Sequence, residues 1–210
     1  MNPKLSLQHF LHHTDYCYSL LIGQHEEGLI EPVARDYSRR WMSAVEMLDA
    51  DIYIGADNCC NLFTVSQTRE GFLEVIGEYH LGDLVNRLHH GSLVIHHTDT
   101  KIGKYPTVIF GTISGAIGVI ASLPRGLYVL LEKLQSLLVK SIKSVGNLSH
   151  AEWRSSYNVR RTSVARNFVD GNLIEFFLSL SPSQMSEVAK AMRVNADKLR
   201  KLVEELTTIH

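Results

Sequence analysis

The sequence predicts an α+β chain in which mainly antiparallel strands come first and a small all-helical part comes last. Three features carry that prediction. From Tyr18 to Leu123, short β-branched and aromatic runs recur at close spacing between turn residues. From Leu127 onward the apolar period changes to three and four. Leu127, Leu130, Leu131, Leu134, Leu137, Leu138, Ile142 and Val145 share one helix face, with Glu132, Lys133, Lys140 and Lys143 turned away. Pro124 and Gly146 bracket this stretch in the order that helix boundaries favour.

The expected strands are 18–23, 29–37, 42–48, 51–55, 60–67, 72–81, 92–96, 108–113 and 116–122. Gly28, Asp49-Ala50-Asp51, Ala56-Asp57-Asn58, Arg69-Glu70-Gly71 and Ser114-Gly115 supply the turns between them. Such spacing fits a sandwich, a barrel or a propeller, and roughly nine strands at four to a blade fill about two propeller blades. Two blades cannot close, so long unpaired sheet edges, and with them aggregation of the chain on its own, are expected. Between strands, Asp83 to His90 reads as a short helical or irregular link, because Leu84 and Leu88 share a helical face.

After the long helix comes a polar, arginine-rich passage from His150 to Arg166. Three helices follow. The first, 173–180, is short and strongly apolar; Ser181-Pro182-Ser183-Gln184 is a capping box that opens the second, 185–192. Asn195 can cap the last, whose stripe is Leu199, Leu202, Val203, Leu206 and Ile209.

Composition bounds the function classes. A chain of 210 residues with 45% hydrophobic and 20% charged content has enough material for a core and is not of disordered type. A net charge of −1 gives no general attraction to nucleic acid or to an acidic membrane. The cysteines Cys17, Cys59 and Cys60 form no CxxC, and the adjacent pair would face opposite sides of a strand, so a reducing compartment is expected. The first 17 residues lack the apolar run of a signal peptide. Thr107 to Leu123 is uncharged and contains Gly111-xxx-Gly115, but Ser114-Gly115 splits it into two β-branched runs. A buried hairpin is expected there, and no membrane span.

The eleven histidines invite a metal site, yet the pairs His12-His13, His89-His90 and His96-His97 are adjacent, whereas zinc ligands share a face. No HExxH, phosphate loop or nucleophile elbow is present, and no carboxylate pair can be placed across a cleft. No catalytic residue, metal or cofactor is therefore expected. Two stretches stand out for binding. Trp153 to Arg166 interleaves aromatics with Arg154, Arg160, Arg161 and Arg166. This is either a nucleic-acid patch or a tether whose arginines pair with acids. Its Arg160-Arg161-Thr162-Ser163 string has the form of a basophilic kinase site, a common pattern. Trp41, set among Arg35, Arg39 and Arg40, is either a protein-contact hot spot or a sheet-corner filler.

Several long strings then match in order: ARDYSRRWMSAVEMLDADIYIGADNCCNLF, HLGDLVNRLHHGSLV, VIFGTISGAIGVIASL, KSIKSVGNLSHAEWRSS, FVDGNLIEFFLSLS and KLVEELTTIH. Together they resemble the C-terminal end of the DNA damage-binding protein 1 family, the C-terminal CPSF A region, from about Ser19 to His210. The resemblance implies a non-enzymatic, three-propeller adaptor of a cullin-RING ubiquitin ligase that works in DNA repair, in nucleus and cytoplasm. In that family a cleft between propellers holds substrate receptors, often of WD40 type, while another propeller, outside this sequence, contacts the cullin. Damaged DNA would then be met indirectly.

The resemblance further implies a divergent segment at 1–17, WD40-like β-propeller blades at 18–123 and a helical domain at 124–210. Receptor contacts would fall on Arg35, Trp41, Leu84, Asn86, Arg87 and Ile113. The alternative within the same fold is a nucleic-acid-binding RNA-processing factor. The sequence departs from the family before Cys17, where Tyr16 replaces an arginine of the receptor surface, and in the loops at 67–71 and 96–105.

Overall fold

The computed structural model describes residues 8–14, 17–26, 29–35, 40–49, 51–93, 105–142, 145–158 and 161–209; for 8–33, Arg35 and Val145 it describes the backbone alone. The chain divides into two compact units. One is drawn from Met1–His89, Phe110–Ile117 and Arg154–Asn167, the other from His90–Ile109, Gly118–Trp153 and Phe168–His210. The arginine-rich passage thus belongs largely with the strands, although in sequence it lies beyond the expected boundary at 123.

In the strand unit, β1 (Gln8–Thr14), β2 (Cys17–Glu26) and β3 (Leu29–Arg35) form an antiparallel sheet in chain order. No strand was expected before Tyr18, yet β1 pairs along its whole length with β2, from Gln8 opposite Gly23 to Thr14 opposite Cys17. Gln8–Thr14 shows no apolar alternation to mark it as a strand, but it holds no Gly or Pro to interrupt one. A second sheet is a four-stranded antiparallel meander of β4 (Met42–Asp49), β5 (Ile52–Asp57), β6 (Asn61–Gln67) and β7 (Leu73–His80). That is the strand count and connectivity of one propeller blade.

The two central strands of this meander are near-continuous buried runs, as expected of strands covered on both faces. Tyr53, Phe63 and Val65 form its core with Ala34, Met42 and Leu73. Gly55 lies opposite Phe63, and a Cβ added there would sit 2.4 Å from the ring Cζ. The glycine is required because the phenylalanine ring occupies its side-chain space. Cys60 and Gly71, with φ of 62° and 79°, make the left-handed corners between strands.

Val85–His90 is a strand, β8, and not the helical link expected from Leu84 and Leu88. Val85 and Leu88 are its buried residues, a spacing that imitates a helix turn. Backbone pairing decides otherwise. Leu84 O accepts from Ile113 N at 3.0 Å, so this segment is drawn into register with the strand that ends beside Ile113. β8, β9 (Thr107–Thr112) and β10 (Ile117–Ala121) are ordered β10-β9-β8, with the Thr112–Ala116 hairpin turning at Gly115, φ 93°. The uncharged stretch is thus a hairpin, and no described helix is long and apolar enough to cross a membrane. Ser92 and Leu93 are not strand, and the rest of the strand expected at 92–96 lies outside the described residues, as do positions 36–37 of the one expected at 29–37.

The expectation of unpaired edges fails at β7. Its outward groups on alternate residues are taken up by the passage that follows the helices' start. Glu78 N donates to Arg166 O at 3.1 Å, Arg166 N donates to Glu78 O at 2.9 Å, and His80 N donates to Arg154 O at 3.1 Å. Within that passage β11 (Ser156–Asn158) pairs with β12 (Arg161–Ser163). The Glu78–His80 end of an edge that would otherwise template another strand is thus covered by the chain's own backbone.

In the helical unit, α1 runs Arg125–Ser141 and stops four residues short of the expected Val145, because Ile142 turns extended at φ −101°, ψ 131°. Gly146 works later, at φ 63° in the 3-10 turn Val145–Asn147. After α2 (His150–Trp153), the expected helix at 173–180 is split into α3 (Gly171–Glu175) and a 3-10 turn, Phe176–Ser179. α4 (Pro182–Met192) opens on the expected capping box, and Asn195 caps α5 (Ala196–Thr207) by accepting from Lys198 N at 3.1 Å. Leu131, Leu134 and Leu138 of α1 pack with Ile174, Phe177, Val188, Met192, Leu199 and Val203 into one core.

Candidate partner-docking surface

Antiparallel pairing gathers one end of the β4–β7 blade. Met42 lies opposite Asp57 and Asn61 opposite His80. The residue before β4, the β5–β6 turn and the residues after β7 therefore share that end. Backbone bonds tie them: Asn58 N donates to Trp41 O at 2.9 Å, and Leu81 N donates to Cys60 O at 2.9 Å.

Around Trp41 the side chains alternate strictly. Arg40 and Met42 are buried, and Trp41 between them is 54% exposed. Burying Arg40 demands partners, and it has them. Its Nη2 donates to Glu78 Oε1 at 2.6 Å, its Nη1 lies 3.8 Å from Asp57 Oδ2, and its guanidinium stacks on the Phe63 ring, 4.6 Å from the centroid. Arg40 Nε is buried without a hydrogen-bond partner among the described residues. Asn61 completes the network by using all its hydrogen-bonding positions. Its Nδ2 donates to Asp57 and to Tyr157 O, and its Oδ1 accepts from Tyr157 N and His80 Nδ1.

Glu78 is the hub. Burial pushes its carboxyl up, but hydrogen bonds and charge from Arg40 and Arg161 overcome that and hold it below the ordinary carboxylate range. Arg161 Nη2 reaches both carboxylate oxygens, at 2.9 and 3.1 Å, and Arg166 Nη2 lies 3.4 Å from Oε2. His80 is pushed down, first by burial and then by the Arg154 charge, with Asp57 opposing.

A second pair of segments meets at the same end. Asp83, Leu84, Asn86 and Arg87 precede or open β8, and Ile113 and Ser114 form the tip of the β9–β10 hairpin. Asn86, Arg87 and Ile113 are exposed, Ile113 at 68%, and Leu84 is half-buried. Of the receptor-contact residues expected from sequence, Trp41, Leu84, Asn86, Arg87 and Ile113 thus lie in one compact unit, and Leu84 and Ile113 are directly bonded. Arg35 ends β3, and its side chain lies outside the described part of the chain.

The arginines expected as a possible nucleic-acid patch have intrachain uses. Arg154 Nη1 donates to His80 O and Leu81 O at 3.2 and 3.1 Å and stacks on Tyr79, while Arg161 and Arg166 hold Glu78. Arg160 lies outside the described residues. Among the described residues no group of His, Cys, Asp and Glu could hold a metal. Burial, followed by the charge of Asp83, pushes the Cys60 thiol up and away from reactive thiolate. Sequence reading missed Arg40 and Glu78 as the frame of Trp41. The only signal was the Arg-Trp adjacency, since nothing near Glu78 in sequence marks it as buried.

The sequence model of the family described as CPSF A subunit region matches residues 6–179. The chain belongs to that family. Within it, the chain is similar to DNA damage-binding protein 1 of Oryza sativa subsp. japonica, 61% identical over 199 residues that cover 91% of this chain and 18% of the relative. It is 59% identical to DNA damage-binding protein 1 of Solanum lycopersicum and 58% identical to DNA damage-binding protein 1a of Arabidopsis thaliana, with the same coverage. The chain thus spans under a fifth of the length of these relatives. The family resemblance noted in the sequence holds, as does the α+β architecture of antiparallel sheets and a helical region.

Proposed function

We propose that this chain supplies the receptor-docking end of a non-enzymatic adaptor for a cullin-RING ubiquitin ligase, serving protein ubiquitination and DNA repair in nucleus and cytoplasm. The observation that carries this reading is the frame around Trp41. A buried, charge-paired arginine and a buried methionine hold an exposed indole at the blade end that also presents Leu84, Asn86, Arg87 and Ile113. Tryptophan and arginine are the side chains that interface hot spots favour. The partners are substrate receptors of WD40 type; the cullin contact lies in parts of the relatives that this chain does not span. The relatives' name supports a link to damaged DNA, and on this reading a bound receptor makes that contact.

Titrating a purified WD40-type receptor against the chain tests the proposal. Trp41→Ala should weaken binding at least about tenfold, the loss expected of a hot-spot residue. Arg193→Ala, on an exposed helix end of the other unit, should leave it unchanged. Equal affinity for the wild type and Trp41→Ala would overturn the assignment.

A further inference from the structure

We infer that Asp83 and Ser114 act as a pin that positions Leu84 and Ile113 side by side on the docking surface. Neither residue is among those the family resemblance assigns. The inference rests on the docking reading above and adds to it the device that shapes the surface.

The pin joins two segments far apart in sequence. The Asp83 carboxylate accepts from Leu84 N at 2.8 Å through Oδ1 and from the Ser114 hydroxyl through Oδ2. Each oxygen therefore holds one side of the junction. Ile113 N donates to Leu84 O at 3.0 Å, which fixes the two backbones at the residues whose side chains face a partner. On the hairpin side, the Thr112 and Ser114 hydroxyls lie 3.1 Å apart, and Thr112 Oγ1 accepts from Ala116 N at 3.1 Å. The tip is thereby closed around Gly115, whose φ of 93° favours glycine. The Ser114 and Thr112 hydrogen bonds, with that of Leu84 N–H, hold the Asp83 carboxyl below its ordinary range, so it stays an ionised acceptor at neutral pH.

The arrangement matters because Ile113 stands on a hairpin tip and is 68% exposed. Among the described residues, apart from chain neighbours, nothing lies within 4 Å of a Cβ placed on Gly111 or Gly115. An exposed tip without packing loses conformational freedom when it docks, and fixing it beforehand removes that cost. Asp83 and Ser114 are thus positioning residues: they act through Leu84 and Ile113.

The test uses the full chain with Asp83→Ala, Ser114→Ala and Ser114→Thr, read by amide hydrogen exchange at Ile113 and by affinity for a purified WD40-type receptor. Asp83→Ala and Ser114→Ala should each speed exchange at Ile113 about tenfold and weaken docking several-fold, and Ser114→Thr, which keeps the hydroxyl, should restore both. Unchanged exchange in both alanine variants would show that no pin exists. Faster exchange with unchanged docking, while Trp41→Ala and Ile113→Ala abolish binding, would overturn the pin and leave the docking reading intact. If Trp41→Ala and Ile113→Ala also leave binding unchanged, the docking reading fails and the inference falls with it.

Discussion

Replacing Glu78 by glutamine tests the frame that holds Trp41. The substitution keeps shape and removes charge, leaving Arg40 with Asp57 at 3.8 Å as its remaining acid. The side chains of Arg40 and Glu78 are 5% and 3% exposed, so their pair is broken inside the protein, where loss of one partner costs about 3–5 kcal/mol. Arg161 and Arg166 contribute differently. Their side chains are 56% and 50% exposed, water replaces the lost partner, and each bond counts for about 0–1 kcal/mol. Urea unfolding of the chain should therefore show Glu78→Gln destabilised by about 3 kcal/mol and Arg161→Ala by less than about 1 kcal/mol. A cost for Arg161→Ala as large as that for Glu78→Gln would refute this partition between buried and exposed partners.

The same network sets a pH dependence. His80 is held below its usual value of 6.5 in the folded state, so the unfolded chain binds the proton more readily and stability falls as pH drops below that value. Glu78, held below 4.5, adds a second loss as pH falls through and below that value. Urea midpoints should thus decline from pH 7 to 5 and more steeply below 4.5, and His80→Gln should remove the upper part of the decline. A midpoint that rises on acidification would contradict both signs. At Gly55, alanine places a methyl into the Phe63 ring and should cost about 1–3 kcal/mol by urea unfolding, while Gly126→Ala, in open space, should cost nothing or stabilise. Equal effects at the two glycines would remove the steric account.

How much of this was legible depended on where the causes lie. The capping box at Ser181 and the Asn195 cap are local, and both formed as read. The alternation that buries Arg40 and exposes Trp41 was half legible: the adjacency was visible, the buried partner was not, since Glu78 lies 38 residues away. β8 was misread because Leu84 and Leu88 have helical spacing, and only the backbone bond to Ile113, fixed by a distant hairpin, makes it a strand. The arginine-rich passage read as a loose tether or a phosphate patch. Its strand pairing with β7 depends on the edge groups of Glu78 and His80, which have no sequence signature. The proposed docking residues other than Trp41 come from family resemblance alone. Asn86, Arg87 and Ile113 have no sequence signature of their own, and it is the backbone bond from Ile113 N to Leu84 O that ties the hairpin tip to the start of β8.

The most direct test of the docking account is a hydrogen-exchange footprint of the chain with and without a purified WD40-type receptor. Docking there slows exchange at 41–42, 83–87 and 112–117 and leaves α4 and α5 unchanged. Protection confined to the helices, or to the arginine-rich passage at 154–167, would contradict it.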